Sequence, residues 1–137
     1  CCCRNKRGRG MTQDELQDVI GKRLGTDLIK TKDKYCSFDC FDDSYVLELK
    51  CRKTHYDTQL IEYKKLIVNK NTADESGKEF LYAVSTPEGE YIFNISKLLA
   101  DDYDFGWEDR LMPSNTEFSG TYQKEKRVGY INVGDAY

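Results

Sequence analysis

Apolar and polar positions alternate along residues 35–41 and again along 45–52. Phe38 and Cys40 fall on one face, and Leu47, Leu49 and Cys51 fall with them. Between the two runs stand Asp43 and Ser44, which stabilise tight turns through side-chain to backbone hydrogen bonds. The pattern predicts a β-hairpin with Phe38 opposite Leu49, Cys40 opposite Leu47 and Asp39 opposite Glu48. A slip of one residue would turn the apolar set to the wrong face, so the register is specified. Lys50 lies two residues beyond Glu48 and shares its face. Two carboxylates and one amine thus converge on one side of a small sheet.

The rest of the chain reads as alternating helices and strands. Residues 11–25 predict a helix: Thr12 is a good N-cap and Glu15 completes a capping box. Leu16, Val19, Ile20 and Leu24 form one stripe, and Gly25 ends it. Residues 27–31 read as a short strand or connector. Residues 57–70 predict a second helix capped by Asp57 or Thr58, with Leu60, Ile61, Lys64, Ile67 and Val68 on one face. Gln59 and Tyr63, four apart, share another. A polar loop follows at 71–78. Strands at 79–85 and 90–94 are joined by Thr86-Pro87-Glu88-Gly89, with its Pro and Gly in turn positions. Residues 96–102 predict a short helix capped by Ser96, and 125–133 a last strand. The acidic, aromatic stretch 103–120 yields no assignment. The expected fold class is α/β, a mixed sheet flanked by helices, in a single domain over residues 11–137.

Like charges directly opposed on a sheet are unfavourable. The Asp39–Glu48 pair makes physical sense with a divalent cation between its oxygens, Mg²⁺ or Mn²⁺ being suited to hard carboxylates. The same face also suits the polar, solvent-facing side of an edge hairpin. Asp39 with Glu48-Leu49-Lys50 resembles the core of the PD-(D/E)XK nuclease superfamily. There an acid on one strand is followed on the next by an acid, an apolar residue and lysine. Gln59-Leu60-Ile61-Glu62-Tyr63 is similar to the Gln-x-x-x-Tyr element that follows this core in RecB-like nucleases. The stretch as a whole resembles small phage-encoded members. Phe38 stands where some members carry proline.

The resemblance implies a restriction-endonuclease-like core and Mg²⁺- or Mn²⁺-dependent hydrolysis of DNA phosphodiesters; the cysteines, expected reduced, lead to the expectation of a cytoplasmic protein. It implies Asp39, Glu48 and the Leu49 carbonyl as metal ligands and Lys50 as the stabiliser of negative charge. It also implies that Gln59 orients water or phosphate with Tyr63 beside it. A first-helix acid near the site would be Glu15, whose other role is the helix cap. Lys64 and Lys65 are candidates for the DNA backbone, as are Lys53 and His55 on the connector before the second helix, where His55 also reads as simply exposed. Cutting both strands of a duplex implies a homodimer, for which the segment 103–107 is the candidate surface. The other reading is a non-catalytic protein of the same fold that binds or regulates.

Composition narrows the partners. The chain has 137 residues, 39% of them hydrophobic and 33% charged, enough for one domain with a core. No apolar run approaches a membrane span, so no membrane partner is expected. Residues 1–10, Cys-Cys-Cys-Arg-Asn-Lys-Arg-Gly-Arg-Gly, have no apolar segment of the signal-peptide kind. They read as a disordered extension or as a basic arm. Without their four basic residues the chain's 21 become 17 against 24 acidic, about −7 instead of −3. Such a domain is a poor non-specific coat for DNA, whose affinity comes from phosphate neutralisation. Cys36, Cys40 and Cys51 form no Cys-x-x-Cys pair. Cys40 and Cys51 are expected as reduced core thiols.

Overall fold

The computed structural model describes residues 11–33, 36–113 and 123–137. The expected tail at 1–10 lies outside them. Helix α1 (Gln13–Leu24) starts as its sequence dictates. The Thr12 hydroxyl accepts the Glu15 N–H at 3.1 Å, and the Glu15 carboxylate accepts the Thr12 N–H at 2.9 Å. Gly25 ends the helix in the left-handed region at φ 72°, which glycine adopts without steric cost.

Further helices and strands follow among the described residues. They are β1 (Ile29–Lys30), β2 (Cys40–Phe41), β3 (Tyr45–Cys51), β4 (Thr58–Glu62), α2 (Tyr63–Glu75), β5 (Glu79–Thr86), β6 (Gly89–Asn94), α3 (Ile95–Ala100), β7 (Glu108–Pro113) and β8 (Gln123–Asn132). One sheet has the order β1-β2-β3-β5-β6 and is mixed: β3 and β5 run parallel, its other pairs antiparallel. A parallel pair needs a crossover, and here β4 and α2 supply it. The second sheet, β4-β8-β7, is antiparallel. The α/β class with a mixed sheet flanked by helices therefore holds. Among the described residues no helix is long and apolar enough to cross a membrane.

The predicted pairing of Cys40 with Leu47 is observed, those of Phe38 with Leu49 and Asp39 with Glu48 are not, and Asp42 closes the turn by accepting the N–H groups of Ser44 and Tyr45. The first strand is shorter than expected, because the backbone bends before Cys40. Phe38 consequently packs with the Val46 side of the sheet, away from Cys40 and Leu47, and Cys51 at the strand's end is exposed. Nor is β3 at an edge, since it lies between β2 and β5. Leu47 and Leu49 pack toward α1; Val46 lies in a core with Leu66 of α2, Ile61 and Ile131.

The expected helix over 57–70 is instead a strand followed by a helix. Gln59 and Ile61 point inward from β4, which pairs antiparallel with β8 some seventy positions on. That distant pairing outweighs the local helical spacing. Helix α2 then runs to Glu75, through the expected polar loop, because Ala73 is buried in the core. The cap of α3 is Asn94, whose side chain accepts the Lys97 N–H. Ser96 instead accepts the Phe80 N–H and ties α3 to β5.

The aromatic rings of the segment before β7 turn inward. Phe105 is buried, and Tyr103 and Trp107 pack on the same core. Trp107 lies directly over Gly129 of β8, where an added Cβ would stand 2.8 Å from its ring. Gly129→Ala is accordingly expected to cost about 1–3 kcal/mol by overpacking. Urea unfolding followed by Trp107 fluorescence measures this, and an unchanged midpoint would mean that the ring does not seat there.

Candidate active site

The bend carrying Asp39 is held from two sides. Ser37 donates to the Asn69 side-chain oxygen, and Asn69, fully buried on α2, donates back to the Ser37 carbonyl at 3.3 Å. From the other side the Thr31 N–H donates to the Asp39 carbonyl at 3.1 Å. The Asp39 N–H donates to the Leu47 carbonyl at 2.8 Å, so Asp39 and Cys40 both face Leu47 and the expected pairing of Asp39 opposite Glu48 gives way at the bend. Its carboxylate turns back on β3: Oδ2 accepts the Leu49 N–H at 2.7 Å. Nothing in the periodic pattern pointed to Asn69, because its role depends on a contact 32 positions away.

Glu48 is the unusual residue. It is 4% exposed, and its Oε1 atom is buried with no hydrogen-bond partner. Leaving a charged acceptor so placed costs more than the 1–3 kcal/mol typical of an unsatisfied neutral group. Burial pushes its carboxyl up to about 7, against the nearby Lys50 and Lys65, with Asp39 and Glu62 adding to the rise. Burial also lowers the pKa of Lys50, and Lys65 lowers it further. Asp39, Glu48, Lys50 and Lys65 are thus brought together. This side of the hairpin does not face solvent: Glu48 is buried, and its neighbour Val46 shares a core with Leu66 of α2 and with Ile61 and Ile131 of the second sheet.

Glu62 and Lys126 complete the group. Lys126 Nζ lies 3.0 Å and Lys65 Nζ 3.6 Å from the Glu62 carboxylate. Burial alone would raise the Glu62 carboxyl, but the Lys126 hydrogen bond and the surrounding lysines hold it below its usual value. Carboxylates and ammonium groups therefore alternate outward from Glu48. The contact of Lys126 with Glu62 arises only through the β4–β8 pairing, which no local pattern contains.

Other expected members are placed elsewhere. Gln59 and Tyr63 do not share a helical face: Gln59 is buried on β4 and donates to the Tyr56 carbonyl at 2.8 Å, whereas Tyr63 opens α2. The Tyr63 ring meets Trp107 edge-on and lies under the Arg127 guanidinium. Glu15 caps α1. It and Asp39 both add to the rise that burial causes in the Cys51 thiol, which places all three around one end of β3. His55 is not simply exposed: its ring bonds the Thr86 hydroxyl at 2.9 Å and lies 3.5 Å from Asp57, pinning the connector to the β5–β6 turn. Lys53 and Lys64 are exposed.

Two carboxylates here could hold a hard divalent cation. They offer an unpartnered buried carboxylate oxygen on Glu48 and, beside it, the Asp39 carboxylate, of which the backbone engages one oxygen. Among the described residues no three His, Cys, Asp or Glu side chains form a ligand cluster. Mg²⁺ characteristically takes one or two protein carboxylates and completes its shell with water and phosphate. A scan against protein-family models and searches of curated proteins and of solved structures returned no match for this chain.

Proposed function

We propose that the chain is a metal-dependent hydrolase of DNA phosphodiester bonds with a restriction-endonuclease-like core. The observation that carries this is Glu48: a buried carboxylate with an unpartnered oxygen, close enough to Lys50 and Asp39 to feel both charges. A polar face built only for solubility has no reason to bury such a group under α2. Asp39 and Glu48 would hold Mg²⁺ or Mn²⁺, with the Leu49 carbonyl as a further oxygen ligand. When bound, the ion supplies positive charge against the phosphate and acidifies water. Lys50, an electrostatic neighbour of Glu48, would oppose the negative charge that grows on the phosphoryl oxygens. The Asn69–Ser37 and Thr31 contacts hold the Asp39 bend in place, so that the carboxylates need little reorganisation.

Labelled linear, circular and branched DNA should be cleaved in the presence of Mg²⁺ or Mn²⁺ and left intact in EDTA. Ca²⁺ should support binding with little cutting, its looser coordination being a poor substitute for the Mg²⁺ octahedron. If none of the three substrates is cleaved with either Mg²⁺ or Mn²⁺, this reading fails.

A further inference from the structure

Beside the carboxylates, between the first turn of α2 and the start of β8, lies a cleft of about 360 Å³. Its walls carry Lys64 and Lys65 from α2 and Lys124, Lys126 and Arg127 from β8, against only Glu62 and Glu125. The chain as a whole has a net charge of −3, so this concentration of cations is local. Glu62 engages Lys65 and Lys126. Among the described residues no carboxylate pairs with Lys64, Lys124 or Arg127. Crowded like charges repel, and a groove lined by one sign draws counter-charge into it.

We infer that this cleft holds the phosphate backbone of a single DNA strand next to the one positioned at Glu48 and Lys50. Lys65 belongs to both places, lining the cleft and acting on Glu48 and Lys50, so the cleft continues the site. Its volume suits one nucleotide-sized unit of a strand. Tyr63, on the same wall, lies under the Arg127 guanidinium and holds that cation at the cleft. The inference rests on the hydrolase reading for calling the strand a substrate; the binding itself is independent of hydrolysis.

The test is fluorescence anisotropy of a labelled single-stranded oligodeoxynucleotide in EDTA, over a series of salt concentrations. Lys124→Gln with Arg127→Gln should weaken binding on the order of tenfold at low salt. It should also make the dependence of log K on log salt shallower by about 1.4, the loss of two phosphate contacts on a single strand. Lys22→Gln with Lys97→Gln, an equal charge change on α1 and α3, should leave both quantities near wild type. Equal weakening by the two pairs, or none by the first, overturns the inference. Cleft-dependent binding by a wild-type protein that cuts no DNA would instead uphold the cleft and remove the hydrolase reading.

Discussion

Asp39→Asn is expected to abolish both Mg²⁺ binding and DNA cleavage while leaving the fold intact. The amide oxygen of Asn can still accept the Leu49 N–H that Asp39 Oδ2 accepts at 2.7 Å, so the bend keeps its anchor. What is lost is the negative charge beside Glu48, and with it the like-charge repulsion, so stability should hold or rise. Lys50→Ala should behave differently. Metal binding survives, because both carboxylates remain, and cleavage falls on the order of 10²-fold or more, as when one electrostatic stabiliser is removed from a transition state. Calorimetric titration of Mg²⁺ or Mn²⁺ into wild type and both variants separates the two roles. Binding by wild type should also strengthen as pH rises through about 7, since below that the Glu48 proton competes with the ion. Identical isotherms for wild type and Asp39→Asn would mean that the pair is not a metal site.

Local signals carried far in this chain wherever an element closes on itself. The capping box of Thr12 and Glu15, the Gly25 stop and the β5–β6 turn each involve residues a few positions apart, and each forms as expected. The Cys40–Leu47 register also follows from alternation alone. The error at residues 57–70 has a different origin. Leu60 and Ile61 with Ile67 and Val68 look like one helical stripe, yet Ile67 and Val68 are exposed on α2. Residues 58–62 take their structure from β8, a partner that no local window contains. The candidate site divides along the same line. Asp39, Glu48 and Lys50 lie within one hairpin and were legible; Glu62, Lys126 and Asn69 reach it only through the β4–β8 pairing and the packing of α2. Gln59 was displaced from its expected role when its helix became a strand.

The burial of Glu48 has a consequence for stability that can be read without any substrate. Its carboxyl is raised from an ordinary 4.5 to about 7, so the folded chain holds the proton more tightly than the unfolded chain does. Below about pH 4.5 both states are protonated and the group costs nothing extra. Between 4.5 and 7 the unfolded chain ionises first, and this contribution to stability is lost progressively. Above 7 the loss is complete, at about 3 kcal/mol for a shift of this size. Glu48→Gln removes the titration while keeping the shape. Its stability relative to wild type should therefore climb by about 3 kcal/mol between pH 4.5 and 8, regardless of how the new amide itself fits. Urea unfolding of both proteins at pH 5 and pH 8, in EDTA, measures the change. Saturating Mg²⁺ at pH 8 should then close part of the gap by stabilising wild type, since an ion that binds only the folded state raises its stability by mass action. It should do so little for Glu48→Gln. A difference between the two proteins that stays constant across the pH range would show that Glu48 ionises as a solvated carboxylate, and the pocket around it would have to be open.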